Sequence, residues 1–314
     1  MSKKVKALVA GVICFLIVMT PFAWILCDQY LMQKGFKLEL SEDGKYYSVC
    51  GYWGQNKKKA VIPRRYKGKP VTKIIELSAT HATDDLPIDT LVIHDGIEYI
   101  GFDVRSAYDY ANIVYEGTIE DWCKIEFPYD GYLYYFNVQN NFYFGDQLVD
   151  ENHDIYIPNS VTKINEGAFV GMKADTFYIG ENVTEIGDRF CVDVKNFSVD
   201  ENNQWFKTYD EGVLYSKDRK ELIAYPSGRQ AETRFNATVG GWTKYYGIYG
   251  GTNIIRRDAF YYSSLDEIVF DYYEGWYGID IRNGHEIELS KSELLDSVEM
   301  AEMLKLGRYE LYRK

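Results

Sequence analysis

The chain has 314 residues, 46% of them hydrophobic and 26% charged, which excludes both a disordered chain and a polytopic membrane protein. A formal charge of −12 excludes nucleic acid as a principal partner, because phosphate binding needs a basic face. The anomaly is aromatic content: 16% of the residues, 29 of them Tyr.

Lys3, Lys4 and Lys6 precede an uncharged apolar run from Ala7 to Cys27. As a helix that run spans about 31 Å, close to the roughly 30 Å hydrocarbon core of a bilayer. It is longer than the apolar region of a secretory signal, and it ends Pro21-Phe-Ala-Trp-Ile-Leu-Cys27 without a small-x-small cleavage site. Residues 1–27 therefore read as an uncleaved signal anchor that contacts the membrane through residues 7–27. A cleaved signal releasing a secreted protein is the alternative. The lysines stay inside, so everything after Cys27 faces outward. Leu26 is not the small residue that a lipidated cysteine requires before it. Cys50, Cys123 and Cys191 are widely spaced and odd in number, which reads as isolated buried thiols and not a disulfide framework.

Residues 28–60 read as a linker and a hairpin, with Phe36–Leu40 and Tyr46–Tyr52 flanking Ser41-Glu-Asp-Gly44 and closing the N-terminal end. Residues 61–282 read as a solenoid, because between residues 61 and 270 one pattern recurs: an alternating apolar triplet, a turn residue, then Val or Ile, two polar residues and Ile. It reads Ile155-Tyr-Ile157-Pro158-Asn-Ser-Val161-Thr-Lys-Ile164, then Phe177-Tyr-Ile179-Gly180-Glu-Asn-Val183-Thr-Glu-Ile186-Gly187. An earlier copy is Leu91-Val-Ile93-His94-Asp-Gly-Ile97-Glu-Tyr-Ile100-Gly101, and the first, Val61-Ile62-Pro63, carries an insertion before Val71-Thr-Lys-Ile74. Equivalent triplet ends fall at Ile93, Tyr115, Ile157, Ile179 and Val199, with neighbouring steps of 22, 22 and 20 residues. That period with strand-type triplets is the leucine-rich-repeat class of solenoid, whose units bury their apolar edges only by stacking. Gly167-Ala168-Phe169 and Asp258-Ala259-Phe260 are expected to drive a Phe into the shared core. The expected fold is mainly β, with one continuous hydrophobic spine.

These fragments resemble the BspA-like leucine-rich repeat family of bacterial surface proteins, most closely over Ile155–Phe169, Tyr178–Phe190 and Asp210–Pro226. Val61–Ile74 looks like the opening repeat of that family, and Tyr115–Ile125 like its Gly-Thr…Trp variant. The similarity covers roughly residues 36 to 282. Two departures stand out: Ser263 follows Ala259-Phe260-Tyr-Tyr where many family repeats place Cys, and residues 229–253 are irregular. The resemblance implies surface adhesion, as some members bind fibronectin or fibrinogen.

Residues 283–314 read as a C-terminal lid and tail. One amphipathic helix is expected, N-capped by Ser290 or Ser292, carrying Leu294, Leu295, Val298, Met300, Met303, Leu304 and Leu306, and stopped by Gly307.

Catalytic motifs are weak. Ser160-Val-Thr-Lys163, the one Ser-x-x-Lys, lies on a repeat turn, and His285-Glu286 lacks a second histidine at helical spacing. His81, His94 and His153 are scattered. Asp84-Asp85 and similar pairs suit a glycosidase no better than a solvated surface. The sequons at Asn182, Asn196 and Asn236 read as structural. No catalytic residue, cofactor or metal is expected.

Binding candidates come from the repeat. In each triplet the first and third residues point inward, so Val92, Val114, Tyr156, Tyr178, Ser198 and Val269 point outward. Stacked about 4.8 Å apart, they form an apolar stripe that serves either as a contact surface or as a cross-strand ladder. The Gly-aromatic stretch Gly240–Gly251, with Trp242, Tyr245, Tyr246 and Tyr249, reads either as a flexible contact loop or as a collapsed insertion on the flank. The expectation is a non-enzymatic, membrane-anchored recognition protein with an extracellular protein or glycan partner. An extracellular glycan hydrolase and a scaffold spacing envelope proteins are the alternatives.

Overall fold

Each apolar triplet forms one strand and each Val-x-x-Ile segment a second, shorter one, so a turn of chain adds a rung to two parallel ladders. The computed structural model describes residues 35–52, 58–77, 88–101, 110–128, 141–190 and 192–314. The expected anchor, His81, Asp84-Asp85 and Cys191 lie outside the described residues. Strands Lys59–Val61, Ile88–Ile93, Tyr110–Tyr115 and Asn141–Phe144 run parallel in one sheet. Ile155–Tyr156, Lys173–Ile179 and Asp193–Val199 form the next. The short strands pair as Lys73-Ile74 with Tyr99-Ile100, Lys163-Ile164 with Glu185-Ile186, and Glu221-Leu222 with Ile254-Ile255. The result is a mainly β solenoid of stacked coils.

Register reproduces the sequence period. Val92 lies opposite Val114 and Tyr156 opposite Tyr178, each 22 positions on, while Tyr178 meets Ser198 after 20. The first and third triplet residues Leu91, Ile93, Ile113, Tyr115, Ile155, Ile157, Phe177 and Ile179 are all buried in one cluster. That cluster also takes Ile74, Ile100, Ile164 and Ile186 from the short strands, and Val199 packs against it. Burying each such side chain contributes roughly 1.5–3 kcal/mol. Phe169 and Phe260 are fully buried, as the Ala-Phe half-motif requires, and Phe169 meets Phe177 edge-on at 4.9 Å. In the Gly-Thr…Trp coil a capping box between Thr118 and Asp121 starts the short helix Ile119–Trp122. This aims Trp122 inward, where its indole N–H donates to the Ala168 carbonyl at 2.7 Å. Coil spacing is set partly by Gly187, where a Cβ would fall 2.7 Å from the Glu166 Cα, so no larger residue fits.

Several expectations change. The core is two clusters, not one spine: the first runs from Phe36 to Ala224, the second from Val213 to Leu311. Strands Val213–Ser216 and Glu221–Ala224 lie between them. Each presents apolar side chains on both faces, which is why both read as unbroken apolar runs. The outer stripe is likewise broken. Gln147–Val149 folds back antiparallel on Asn141–Phe144, and Phe206–Tyr209 turns into a hairpin with Val213–Ser216, so the triplet strands divide among three sheets. Asn141–Phe144 is a further rung, with Phe144 in register with Tyr115, hidden because it comes 29 residues on and not 22.

The Gly-aromatic stretch is neither a loop nor a collapsed insertion. Gly241–Ile248 is a strand, antiparallel to Glu232–Asn236 and parallel to Glu267–Phe270. The C-terminal helix is two helices, Lys291–Leu295 and Ser297–Lys305, because Asp296 leaves helical geometry at ψ 82° and caps the second. Ser290 caps the first through a box with Glu293. Leu294, Met300, Ala301 and Leu304 cover the second cluster. Past Gly307, Tyr309–Arg313 forms a strand inserted antiparallel between Ile254-Ile255 and Trp276–Asp280. At the N-terminal side Phe36–Leu40 pairs antiparallel with Tyr47–Tyr52, which runs parallel to Lys69–Glu76.

Candidate binding surfaces

Parallel in-register pairing puts identical positions of successive coils side by side, so Tyr156 and Tyr178 meet ring to ring. Their centroids lie 4.4 Å apart with the planes 6° from parallel. Tyr156 is 55% exposed. Its hydroxyl donates to the Asp154 carboxylate at 2.9 Å, and that bond pushes the phenol up to about 12. Ser198 completes this three-residue segment. In the neighbouring sheet the equivalent positions are Val61, Val92, Val114 and Tyr143. Val92 is buried, at 3% exposed, unlike Val61 beside it, which is 39% exposed. It offers no contact surface, and Tyr143, half-buried, takes its place on the outer face. The Phe142-Tyr143-Phe144 alternation was the signal for it.

The hairpin Glu232–Ile248 carries a second exposed apolar group. Phe235 and Trp242 are cross-strand partners, 60% and 74% exposed, meeting edge to face at 6.2 Å. The turn is held by Asn236, whose side-chain oxygen accepts from the Thr238 and Val239 amides at 2.9 and 3.2 Å. Tyr245 donates to its strand partner Glu232 at 2.6 Å. Tyr246 is buried, contrary to expectation, because alternation turns it into the second core. There its hydroxyl reaches Asp210 at 2.8 Å and Tyr215 at 3.0 Å, and burial pushes its phenol far up. The base of the hairpin is pinned by buried Glu267, which accepts from Arg234, Thr243 and Ser297. Burial penalises its charge, but hydrogen bonds from these three outweigh that and hold the carboxyl at about 2. Tyr249 lies beyond the strand, 44% exposed, under the Arg219 guanidinium at 4.2 Å.

The residues of the Ser-x-x-Lys motif do not converge: Ser160 donates to Glu120 and Lys163 pairs with Glu185, each at 2.5 Å. His94 is buried in its coil turn, accepting from the Gly96 amide at 3.0 Å. Cys50 and Cys123 are free thiols, pushed by burial to about 11 and about 12. Among the described residues no cluster of His, Cys, Asp and Glu is arranged to hold a metal.

Residues 85–198 and 138–219 match the sequence model of the BspA type leucine rich repeat region, in six copies. No curated protein matches the chain. Among solved structures, the pneumococcal vaccine antigen PcpA is 17% identical, with 75% of this chain and 62% of that one covered and a TM-score of 0.39. A leucine-rich repeat protein from Eubacterium ventriosum is 15% identical, with 74% and 57% covered and a TM-score of 0.34. A leucine rich cell surface protein from Faecalibacterium prausnitzii is 17% identical, with 75% and 69% covered and a TM-score of 0.39. The chain spans less than two thirds of the length of the first two. Over residues 85–219 this chain is similar to the BspA-type leucine-rich repeat region.

Proposed function

We propose that the chain is a non-enzymatic recognition protein of the cell surface, anchored through residues 7–27, with the solenoid extracellular and closed at its ends by the Phe36–Tyr52 hairpin and the C-terminal helices. The observation that supports it most is the Tyr156–Tyr178 stack, held flat and outward on a rigid ladder. Two stacked phenols bury large area at low entropic cost and keep polar edges, the chemistry enriched at the centres of protein interfaces. A protein partner docks on this segment, with Trp242 and Phe235 as a second contact. The family supports the reading as a surface protein. The test presents immobilised matrix proteins, fibronectin and fibrinogen among them, to the full chain and to the Tyr156→Ala, Tyr178→Ala double variant. Recognition is expected to weaken at least tenfold with the fold retained. Unchanged capture, or a panel without any binder, would favour the spacing scaffold instead.

A further inference from the structure

Beyond the second core the chain builds a cleft that neither repeat surface uses. It is an open space of about 650 Å³ between the end of strand Gly241–Ile248 and the segment after Glu267–Phe270. Small-ligand sites occupy roughly 300–1,000 Å³. Two tyrosines line it, Tyr249 and Tyr272, the latter 63% exposed. Both rings are held in place. A Cβ on Gly250 would sit 2.6 Å from the Tyr272 ring and one on Gly251 would strike Tyr249, so each ring rests where only glycine leaves room. The Tyr272 carbonyl also accepts from the buried Trp276 indole at 3.0 Å.

The polar lining divides into committed cations and open carboxylates. Arg313 donates to the Gly250 carbonyl at 2.8 Å and to the Asn253 side chain at 2.9 Å, and Lys314 pairs with Glu286 at 3.0 Å. Asp271 and Glu274 line the same cleft and engage no donor among the described residues. The two bases of the lining are already engaged and its two acids are open, so nothing in the cleft draws a polyanion. What it offers is fixed aromatic planes beside hydrogen-bond acceptors that still lack donors.

We propose that this cleft binds a neutral saccharide. The C–H face of a pyranose ring is apolar and lies against Tyr249 or Tyr272, while its hydroxyls donate to Asp271 and Glu274. Rings already held by backbone contact lose little freedom when the sugar docks. The proposal gives the recognition reading a second ligand class on a separate surface, and it stands or falls independently of Tyr156 and Tyr178.

The test probes an array of neutral gluco-, galacto- and N-acetylglucosamine oligosaccharides, with sialylated and sulfated ones beside them, using the full chain. Neutral glycans should be retained, at least tenfold more weakly by Tyr272→Ala and by Asp271→Asn, with the thermal midpoint unchanged because both side chains line the surface. Gly250→Val, which displaces the Tyr272 ring, should weaken binding similarly. Tyr156→Ala should leave glycan binding intact, which separates this site from the repeat face. An array on which no neutral glycan is held, a preference for the charged glycans, or retention unaffected by Tyr272→Ala would each overturn the proposal. Release of shortened sugars would overturn it in favour of a hydrolase.

Discussion

Leu214 and Tyr215 are consecutive residues of one strand, yet they pack into different hydrophobic clusters: Leu214 with Ile223 and Ala224, Tyr215 with Val213, Leu222 and Tyr225. The two strands that carry them form a wall shared by both halves of the molecule. Loss of either side of a shared wall removes support from the other. Leu214→Ala, which opens a cavity costing about 2–5 kcal/mol, is therefore expected to lower protection in both halves. Native-state hydrogen exchange should show amides around Phe177 and around Phe270 weakening together. Weakening confined to the first half would show that the clusters unfold independently.

Phe169 has no solvent contact and meets Phe177 edge-on. Phe169→Ala should cost about 3–5 kcal/mol, read as a fall in the urea midpoint at constant slope. A loss below about 1 kcal/mol would mean that neighbouring coils close over the gap.

Asp258 is buried beside Arg257, at 3.4 Å, and burial raises its carboxyl to about 6 against an ordinary 3.8. A carboxyl whose folded value lies above its unfolded one stabilises at low pH, and the advantage fades as pH rises through the folded value. Asp258→Asn, which mimics the protonated acid, should thus be near neutral at pH 4 and stabilising at pH 8, by an amount on the order of 1–3 kcal/mol. Melting curves at the two pH values decide it; equal effects at both would show that the carboxyl does not titrate between them.

Glu267 carries the opposite sign. Its folded value, about 2, lies below the ordinary 4.5, so its contribution is present above pH 4.5 and lost as pH falls toward 2. Glu267→Ala should destabilise by about 2–4 kcal/mol at pH 7, since Arg234, Thr243 and Ser297 all lose their acceptor. Glu267→Gln, which still accepts one hydrogen bond, should cost less. If denaturant melts at pH 7 rank the two equally, the charge alone holds the hairpin base, and neither the packing nor the hydrogen bond that Gln retains contributes.

The coils were readable because their signal is local and repeats: an inward residue at Ile157 predicts one at Ile179, and both are buried. The rung at Phe142–Phe144 escaped because a longer connection broke the period. The strand Gly241–Ile248 escaped for a different reason: glycines and tyrosines resemble a loop, and its partner Glu232–Asn236 is largely polar. Phe235 was missed with it, although Asn236 and Gly240 bracket a turn. Of the candidate surface, the Tyr156–Tyr178 stack follows from the repeat phase alone. The Tyr249–Tyr272 cleft lies outside the repeat pattern, where no period speaks.

The strand Tyr309–Arg313 lies beside Ile254-Ile255, on the edge where a further short rung would otherwise add. A duplicated unit appended after residue 255 would have to evict that strand and uncover the second core. Lengthening of this architecture is consequently directed inward, between existing turns such as those at Ile157 and Ile179, where a new turn finds matching neighbours on both sides.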